Sequence, residues 1–268
     1  ILATCSSPMR VAAAMLAFFT AGVDALGAPK RLPHTCPRDD KALKVRGGAL
    51  SVSPAAAELI ATVVPTLGVV VSNALYFSPL PAVLAASKAG QLGGINPLPT
   101  TLMVLNTIAW IIYGLSVQNP YIVASNLPGV VASLTAYTSM LPLMQGHPSL
   151  FQAQAVLSSG IFAMVGLWTY LIFSGATAAT RTFIHGLFSS SLCIVLFASP
   201  LSTISTVIAT RSSASIMATT TLMQSLNCFL WTTYGFVATK DIYVWGPNLT
   251  GFILGLSQLA LKVLFPTK

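Results

Sequence analysis

The stretch that decides the fold is LNTIAWIIYG at residues 105–114, because it returns about 120 residues later as LNCFLWTTYG at residues 226–235. Other matches follow in the same order, with a slip of one residue after the second stretch: Ser78-Pro79-Leu80 with Ser199-Pro200-Leu201, Tyr121 with Tyr243, Asn126 with Asn248 and Gly129 with Gly251. Ordered matches of Pro, Asn, Tyr and Gly are not expected by chance, even in an apolar chain. The chain therefore contains an internal duplication, which is typical of membrane transporters built from repeats.

The composition indicates a lipid environment. Hydrophobic residues make up 54% of the chain and charged residues only 7%, with a mean hydropathy of +0.80. A soluble domain carries about 25% charged residues. Half of the net charge of +8 comes from residues 1–50, which hold seven of the thirteen Lys and Arg residues and three of the five acids. The charge therefore does not indicate a nucleic-acid partner, and we predict a polytopic membrane protein.

Apolar runs of membrane length predict an all-α protein with seven transmembrane helices. The repeat occupies the first three and the last three spans, and the fourth span restores a parallel orientation to the second copy, giving a 3+1+3 arrangement. The predicted repeats are residues 51–145 and 179–268, joined by a linker helix within residues 146–178. The predicted spans are 57–83, 98–116, 121–144, 152–174, 183–208, 215–238 and 243–265.

The first fifty residues are predicted to be a signal-like or targeting extension. Met9-Arg10 is followed by the apolar run 11–23, and Val23-Asp24-Ala25 supplies a small-residue cleavage site. Residues 26–50 are basic and rich in Pro and Gly, which is typical of a disordered tail or a transit-like segment. The extension leaves plasma membrane, endomembrane and plastid membrane all open as destinations.

Basic residues in the short loops predict the orientation. One side of the seven-span arrangement carries Lys88, Arg211, Lys262 and Lys268, whereas the other carries Arg181 and the Lys240-Asp241 pair. The positive-inside rule places the first side in the cytosol and the N-terminus on the non-cytosolic side.

Paired asparagines and tryptophans are the candidates for a binding site. Within each helix the Asn precedes the Trp by four positions, so that both side chains share one face. Amides donate and accept hydrogen bonds to hydroxyl groups, and indole rings cover the apolar face of a sugar. The recurring candidates are Asn106, Trp110 and Asn126 in the first half and Asn227, Trp231 and Asn248 in the second.

A single tryptophan in a span usually packs or lies at the membrane interface, and a single asparagine usually bonds a neighbouring helix. Recurrence in both halves favours a central pocket instead, because groups related by a two-fold axis converge on it. The only acids after residue 50 are Glu58 and Asp241, both near span ends, so uncoupled transport is favoured over a proton or sodium relay. The cysteines lack metal-ligand spacing, and no cofactor is expected.

The motifs resemble the SWEET family of sugar transporters. Residues 106–114 and 120–129 are similar to the first repeat of that family, and residues 199–201, 210–212, 227–235 and 241–251 to the second. The similarity extends over about residues 59–266. It implies two triple-helix bundles around a linker helix, with sugars moved down a gradient by alternating access and without a coupling ion.

The resemblance also implies roles for individual residues. Sugar-binding positions are Asn126 and Asn248, with Trp110 and Trp231 above and below the sugar, Asn106 and Asn227 tuning its size, and Leu75 and Leu196 on the opposite wall. Gate and hinge positions are Tyr113, Tyr234 and Asp241 on the non-cytosolic side, and Pro79, Pro99 and Pro200 near the cytosolic side. The family is also often oligomeric, which implies a homo-oligomer.

Two positions depart from the family pattern. Met217 replaces a fourth hinge proline, and Gln118 replaces a lysine that would pair with the gate acid. Both changes predict altered gating with an intact pocket. Asparagine at both size-tuning positions favours monosaccharides over disaccharides.

Two other functions remain open at this stage. A PQ-loop-like transporter of amino acids would have the same seven-helix repeat, but this chain has no Pro-Gln pair. A non-transporting scaffold or receptor would leave the paired mid-membrane asparagines without a role. An intramembrane enzyme is disfavoured, because the spans carry no zinc motif, paired aspartates or Ser–His arrangement.

Overall fold

The computed structural model describes residues 53–266, and the predicted signal and targeting segments lie outside them. The described part is helical throughout, with a 3₁₀ turn (Leu141–Met144) extending the fourth helix and a π-helical turn (Tyr234–Thr239) extending the eighth. The helices are α1 (Pro54–Phe77), α2 (Leu80–Ala89), α3 (Pro97–Ser116), α4 (Pro120–Met140), α5 (Pro148–Phe173), α6 (Ala178–Leu196), α7 (Ala198–Thr210), α8 (Ala218–Thr233) and α9 (Ile242–Leu264).

Within residues 53–266 these helices form the seven predicted spans. Helices α1 and α2 together make the first span, and α6 and α7 together make the fifth. Five segments are long and apolar enough to cross a membrane, namely Glu58–Ala89, Pro97–Ser116, Pro120–Met144, Pro148–Phe173 and Ala178–Thr210. The sixth span is α8 with its π-helical turn, and the seventh is α9. The prediction of an all-α, seven-helix protein is confirmed.

Capping residues explain why several spans begin earlier than hydropathy predicts. Asn96 and Asn119 accept hydrogen bonds from the backbone at the starts of α3 and α4, and a proline occupies the first turn of each helix. These two features favour a helix start because they satisfy or remove free backbone N–H groups. Asp241 caps α9 in the same way, through a bond from Tyr243 N of 3.0 Å.

The Ser-Pro-Leu motif marks a break in the first span of each half. Pro79 lies between α1 and α2, and Pro200 lies in the first turn of α7, just after the break at Phe197. Proline lacks a backbone N–H and clashes with the preceding turn, so a helix interior breaks or bends there. The recurrence of the motif therefore predicts a recurring structural break.

Helix packing follows the duplication. In the first half α4 packs against α1, α2 and α3, and in the second half α9 packs against α6, α7 and α8. The halves meet through α1 against α8 and through α3 against α6, which are equivalent pairs. The linker α5 packs on α3 of the first half. The pseudo-two-fold axis therefore lies between two three-helix bundles.

The one-residue slip in the repeat has a structural cause. The segment between Gly235 and Asp241 is one residue longer than its counterpart between Gly114 and Asn119. The second half accommodates this residue in the π-helical turn, which takes more residues per turn than an α-helix. Asn119 and Asp241 consequently occupy equivalent places as helix caps despite the different spacing.

Candidate functional site between the repeats

Aromatic side chains from both halves form one buried cluster at the interface between the bundles. Its members are equivalent pairs, Trp110 with Trp231, Tyr113 with Tyr234 and Ile122 with Val244. Within each half the tryptophan meets the tyrosine edge to face, with ring centroids 5.7 Å apart in the first half and 5.9 Å in the second. The structure thus brings both predicted tryptophans and both predicted gate tyrosines together.

Asn126 is buried and fully engaged by its own half. Its Nδ2 donates to Ile122 O at 2.8 Å and to Ser125 Oγ at 2.9 Å, and its Oδ1 accepts from the Tyr76 hydroxyl at 2.9 Å. These bonds fix the amide orientation, because oxygen and nitrogen each face a partner of one kind.

Asn248 keeps only one of those restraints. Its Nδ2 donates to Val244 O at 2.8 Å, which repeats the Asn126–Ile122 bond. The residues equivalent to Tyr76 and Ser125 are Phe197 and Pro247, neither of which carries a hydroxyl group. Within residues 53–266, Oδ1 of Asn248 makes no hydrogen bond, so this half-buried amide keeps an acceptor for a ligand hydroxyl.

Ser72 connects the halves at the same level, and the sequence reasoning did not identify it. The Trp231 indole N–H donates to Ser72 Oγ at 3.0 Å, and the Ser72 hydroxyl donates to Asn227 Oδ1 at 2.7 Å. The equivalent residue in the second half is Cys193, which packs against the aromatic cluster. The only sequence signal is a small polar residue seven positions before the Ser-Pro-Leu proline, which also occurs in ordinary helix packing.

The asparagines at the two predicted size-tuning positions differ in their hydrogen bonding. Asn227 bonds to Ser72, whereas Asn106 is 5% exposed and its buried Oδ1 has no partner among the described residues. Leu75 and Leu196 lie half-buried near the ends of α1 and α6 and are not members of the aromatic cluster. The structure therefore joins Asn227 to Trp231 through Ser72 and places both indoles in one cluster, of which the two leucines are not members.

Removing the Ser72 hydroxyl is expected to destabilise the protein. In Ser72→Ala the buried Trp231 N–H and the Asn227 carbonyl lose their shared partner, and an unsatisfied buried group costs about 1–3 kcal/mol. Thermal unfolding in detergent should show a lower melting temperature. Ser133→Ala is the matched control, because Ser133 is equally buried but donates only to carbonyls of its own helix. Equal losses in the two variants would contradict the bridging role.

Two equivalent hydrogen bonds join the halves. One runs from the end of α3 to the start of α9, and the other from the start of α4 to the π-helical turn after α8. The Tyr113 hydroxyl donates to Asp241 Oδ2 at 2.7 Å, and Asn119 Nδ2 donates to the Tyr234 hydroxyl at 2.9 Å. We call residues 113–121 and 234–243 the closed end. A cavity of about 390 Å³ lies there, lined by residues that include Tyr113, Asn119 and Asp241.

Gln118 and Lys240 are equivalent residues and share a left-handed backbone, each with φ of 54°. The Lys240 ammonium lies over the Phe236 ring, 5.6 Å from its centroid. Within the described residues Asp241 forms no ion pair, and its carboxylate accepts hydrogen bonds from Tyr113 and from the start of α9. With glutamine at position 118, no salt bridge joins the halves at this end of the described chain.

The opposite end of the bundles comprises residues 78–99 and 199–217 and contains Pro79, Pro99 and Pro200. Met217 caps α8 there without a side-chain hydrogen bond and is 72% exposed. The loop before α8 is instead held by Lys262, whose Nζ donates to Ile216 O at 2.9 Å. Across the described chain, no three His, Cys, Asp or Glu side chains group as metal ligands would.

Comparisons with known proteins agree with this architecture. A family model described as sugar efflux transporter for intercellular exchange matches the chain twice, over residues 62–148 and 183–268. The bidirectional sugar transporter SWEET11 of Arabidopsis thaliana is 30% identical over 204 residues, which cover 74% of this chain and 68% of that protein. The bidirectional sugar transporter NEC1 of Petunia hybrida is 28% identical over 201 residues, 74% of each chain.

A solved structure of a eukaryotic SWEET transporter has the same fold. It superposes with a TM-score of 0.70 and covers 78% of this chain and 98% of that chain, at 22% sequence identity. The two segments matched by the family model fall on the two halves of the repeat, and α5 lies between them.

Proposed function

Since the chain belongs to the SWEET family of sugar efflux transporters, we propose that it moves sugars across a membrane by facilitated, bidirectional transport. It is a multi-pass membrane protein and not an enzyme. The observation that supports the proposal is the buried cluster between the halves, which holds Trp110 and Trp231 and to which Asn227 is joined through Ser72. Amides there suit hydroxyl groups, and indole faces suit the apolar face of a sugar ring.

The proposed binding residues follow the repeat. Asn248 offers a free amide oxygen and Asn106 a buried carbonyl oxygen, while Asn126 and Asn227 are oriented by Tyr76 and Ser72. The proposed set is Asn106, Trp110, Asn126, Leu75, Leu196, Asn227, Trp231 and Asn248 for the sugar, with Tyr113, Tyr234 and Asp241 as the gate and Pro79, Pro99 and Pro200 as hinges.

Transport without a coupling ion is supported by the placement of the titratable groups. Glu58 and Asp241 are the acids of the described chain, one near the start of α1 and the other at the closed end. His185 faces α3 and α5 rather than the axis. A proton or sodium relay requires acidic or histidine side chains inside the bundle, and the central aromatic cluster contains neither.

We propose that the closed end and the N-terminus lie on the non-cytosolic side of the membrane, because Lys88, Arg211 and Lys262 lie at the other end. Residues 51–145 and 179–268 form the two repeats, with residues 146–178 as linker. A homo-oligomer in the plasma membrane, an endomembrane or a plastid membrane is proposed.

Uptake into proteoliposomes tests the function. We expect saturable entry of labelled glucose or fructose down its gradient, unchanged by an imposed pH gradient, with sucrose transported less well because asparagine occupies both size-tuning positions. Empty liposomes and a variant inactive at the pocket are the controls. Failure of folded, reconstituted protein to transport any of the three sugars would overturn the proposal, and uptake of amino acids would indicate a different cargo.

A further inference from the structure

The closed end is held by two bonds that the duplication relates to each other. Tyr113 of the first half reaches Asp241 of the second, and Tyr234 of the second reaches Asn119 of the first. Tyr113 is equivalent to Tyr234, and Asn119 is equivalent to Asp241. We call each of these two hydrogen bonds a latch; one lies on each side of the axis.

Each latch residue is also a helix cap. Asn119 Oδ1 accepts from Tyr121 N at 3.1 Å and from Ile122 N at 3.4 Å, while its Nδ2 bonds to Tyr234 across the interface. The latch is therefore tied to the start of α4. Asn126 lies two turns further along the same face of that helix, so a shift of the latch moves a proposed sugar-binding amide with it.

The two latches are unequal in chemistry. The Tyr113–Asp241 bond has a carboxylate acceptor, and charge-assisted hydrogen bonds are shorter and roughly twice as strong as neutral ones. The Asn119–Tyr234 bond joins two neutral groups, and Tyr234 is the first residue of the π-helical turn. The distances of 2.7 and 2.9 Å are ordinary for an O–H···O and an N–H···O bond respectively, so the difference in strength rests on the charge of the acceptor.

Resting on the proposed transport function, we propose that Asn119 is a gate-positioning residue, which with Tyr234 forms the weaker of two latches at the closed end. Opening this end requires both bonds to break, so the free energy of opening includes a contribution from each. The Asn119–Tyr234 bond contributes the smaller part, and a neutral amide at position 119 therefore makes opening easier than a second carboxylate would. Asn119 thus acts through the gate and not by touching the sugar.

Two substitutions remove this latch without removing the cap or the ring. Serine caps helices about as well as asparagine but is too short to reach Tyr234, and Tyr234→Phe deletes only the hydroxyl. Asn119→Ser and Tyr234→Phe are measured singly and together. The matched control is Asn96→Ser, since Asn96 caps α3 at the opposite end through Leu98 N at 3.0 Å.

Each variant also carries Val117→Cys. The readout is the rate at which this cysteine reacts with a membrane-impermeant thiol reagent added on the side of the closed end. Val117 is half-buried, packs against the aromatic cluster and lines the cavity at this end. The same variants without Val117→Cys give the rate at which the native cysteines react, and that rate is subtracted. Each single substitution is expected to raise the rate about fivefold, the factor for one neutral hydrogen bond. The double variant should be no faster than either single one.

Multiplying effects in the double variant, unchanged rates, or an equal rise in Asn96→Ser would overturn the latch. Melting temperatures in detergent confirm that each variant is folded. Sugar uptake measured in parallel separates the two proposals. The expected pattern of modification in a protein that moves no sugar would retain the latch and reject the transport function, whereas transport with additive rates would do the reverse.

Discussion

Asn248→Ala is expected to lower the kcat/KM of sugar uptake at least tenfold while the protein remains folded. Asn248 donates only to a carbonyl of its own helix, and its Oδ1 makes no bond to the described residues. Alanine removes one acceptor and one unused donor for sugar hydroxyls. Each hydrogen bond contributes about 0.5–1.5 kcal/mol, and 1.4 kcal/mol is a factor of ten. The measurement is initial uptake into proteoliposomes at several sugar concentrations.

Thr250→Ala on the same helix is the control for that substitution. Thr250 is exposed, and its hydroxyl donates to Gly246 O within α9, so uptake should stay close to that of the parent protein. Asn126 is a poorer probe, because its amide also holds the Tyr76 hydroxyl. Parent-like uptake in Asn248→Ala would remove this residue from the sugar site.

The recurring motif predicted the central elements well, for a physical reason. Trp110 and Trp231 occupy equivalent positions in equivalent helices. Because both face the interface between the halves, the two-fold axis brings them into one cluster. Span limits were less predictable, because hydropathy averages over a window and does not register caps. The start of α4 at Pro120 is set by local hydrogen bonds, which the Asn119 side chain accepts from the backbone N–H groups of Tyr121 and Ile122.

Contacts between the halves were beyond the reach of the sequence. Ser72 bonds to residues more than 150 positions away, and nothing in its own helix distinguishes it from a small packing residue. The repeat also predicts equivalence where the structure shows a difference. Tyr76 orients Asn126, but Phe197 cannot orient Asn248, so the duplication has one fixed and one free amide.

This difference between the halves bears on how a sugar binds. A ligand in a symmetric site would have two equivalent orientations. Here the free acceptor of Asn248 and the unpartnered carbonyl of Asn106 lie in different halves, and the equivalent groups of Asn126 and Asn227 are already bonded. Under the proposed function, we therefore expect a sugar that donates hydroxyl protons to both oxygens to bind in one orientation.

Gly235→Ala is expected to lower the melting temperature strongly. A Cβ at position 235 would lie 2.7 Å from Trp245 N, a backbone atom at the start of α9 that cannot move without shifting the helix. Forcing an extra methyl group into such a contact costs about 1–3 kcal/mol, and occasionally more. Because Asp241 N also donates to Gly235 O at 2.9 Å, the displacement would reach the gate. Thermal unfolding in detergent measures the effect.

The equivalent glycine in the first half supplies the comparison. A Cβ at Gly114 would meet side-chain atoms only among its three nearest neighbours, Cγ2 of Ile122 and of Val123 at 3.0 Å and Cβ of Ile122 at 3.1 Å. Side chains can shift more easily than backbone, and alanine is better than glycine in a helix by about 0.5–1 kcal/mol. Gly114→Ala should therefore destabilise the protein less than Gly235→Ala. Equal destabilisation by both substitutions would show that Gly235 is no more tightly packed against α9 than Gly114 is against α4.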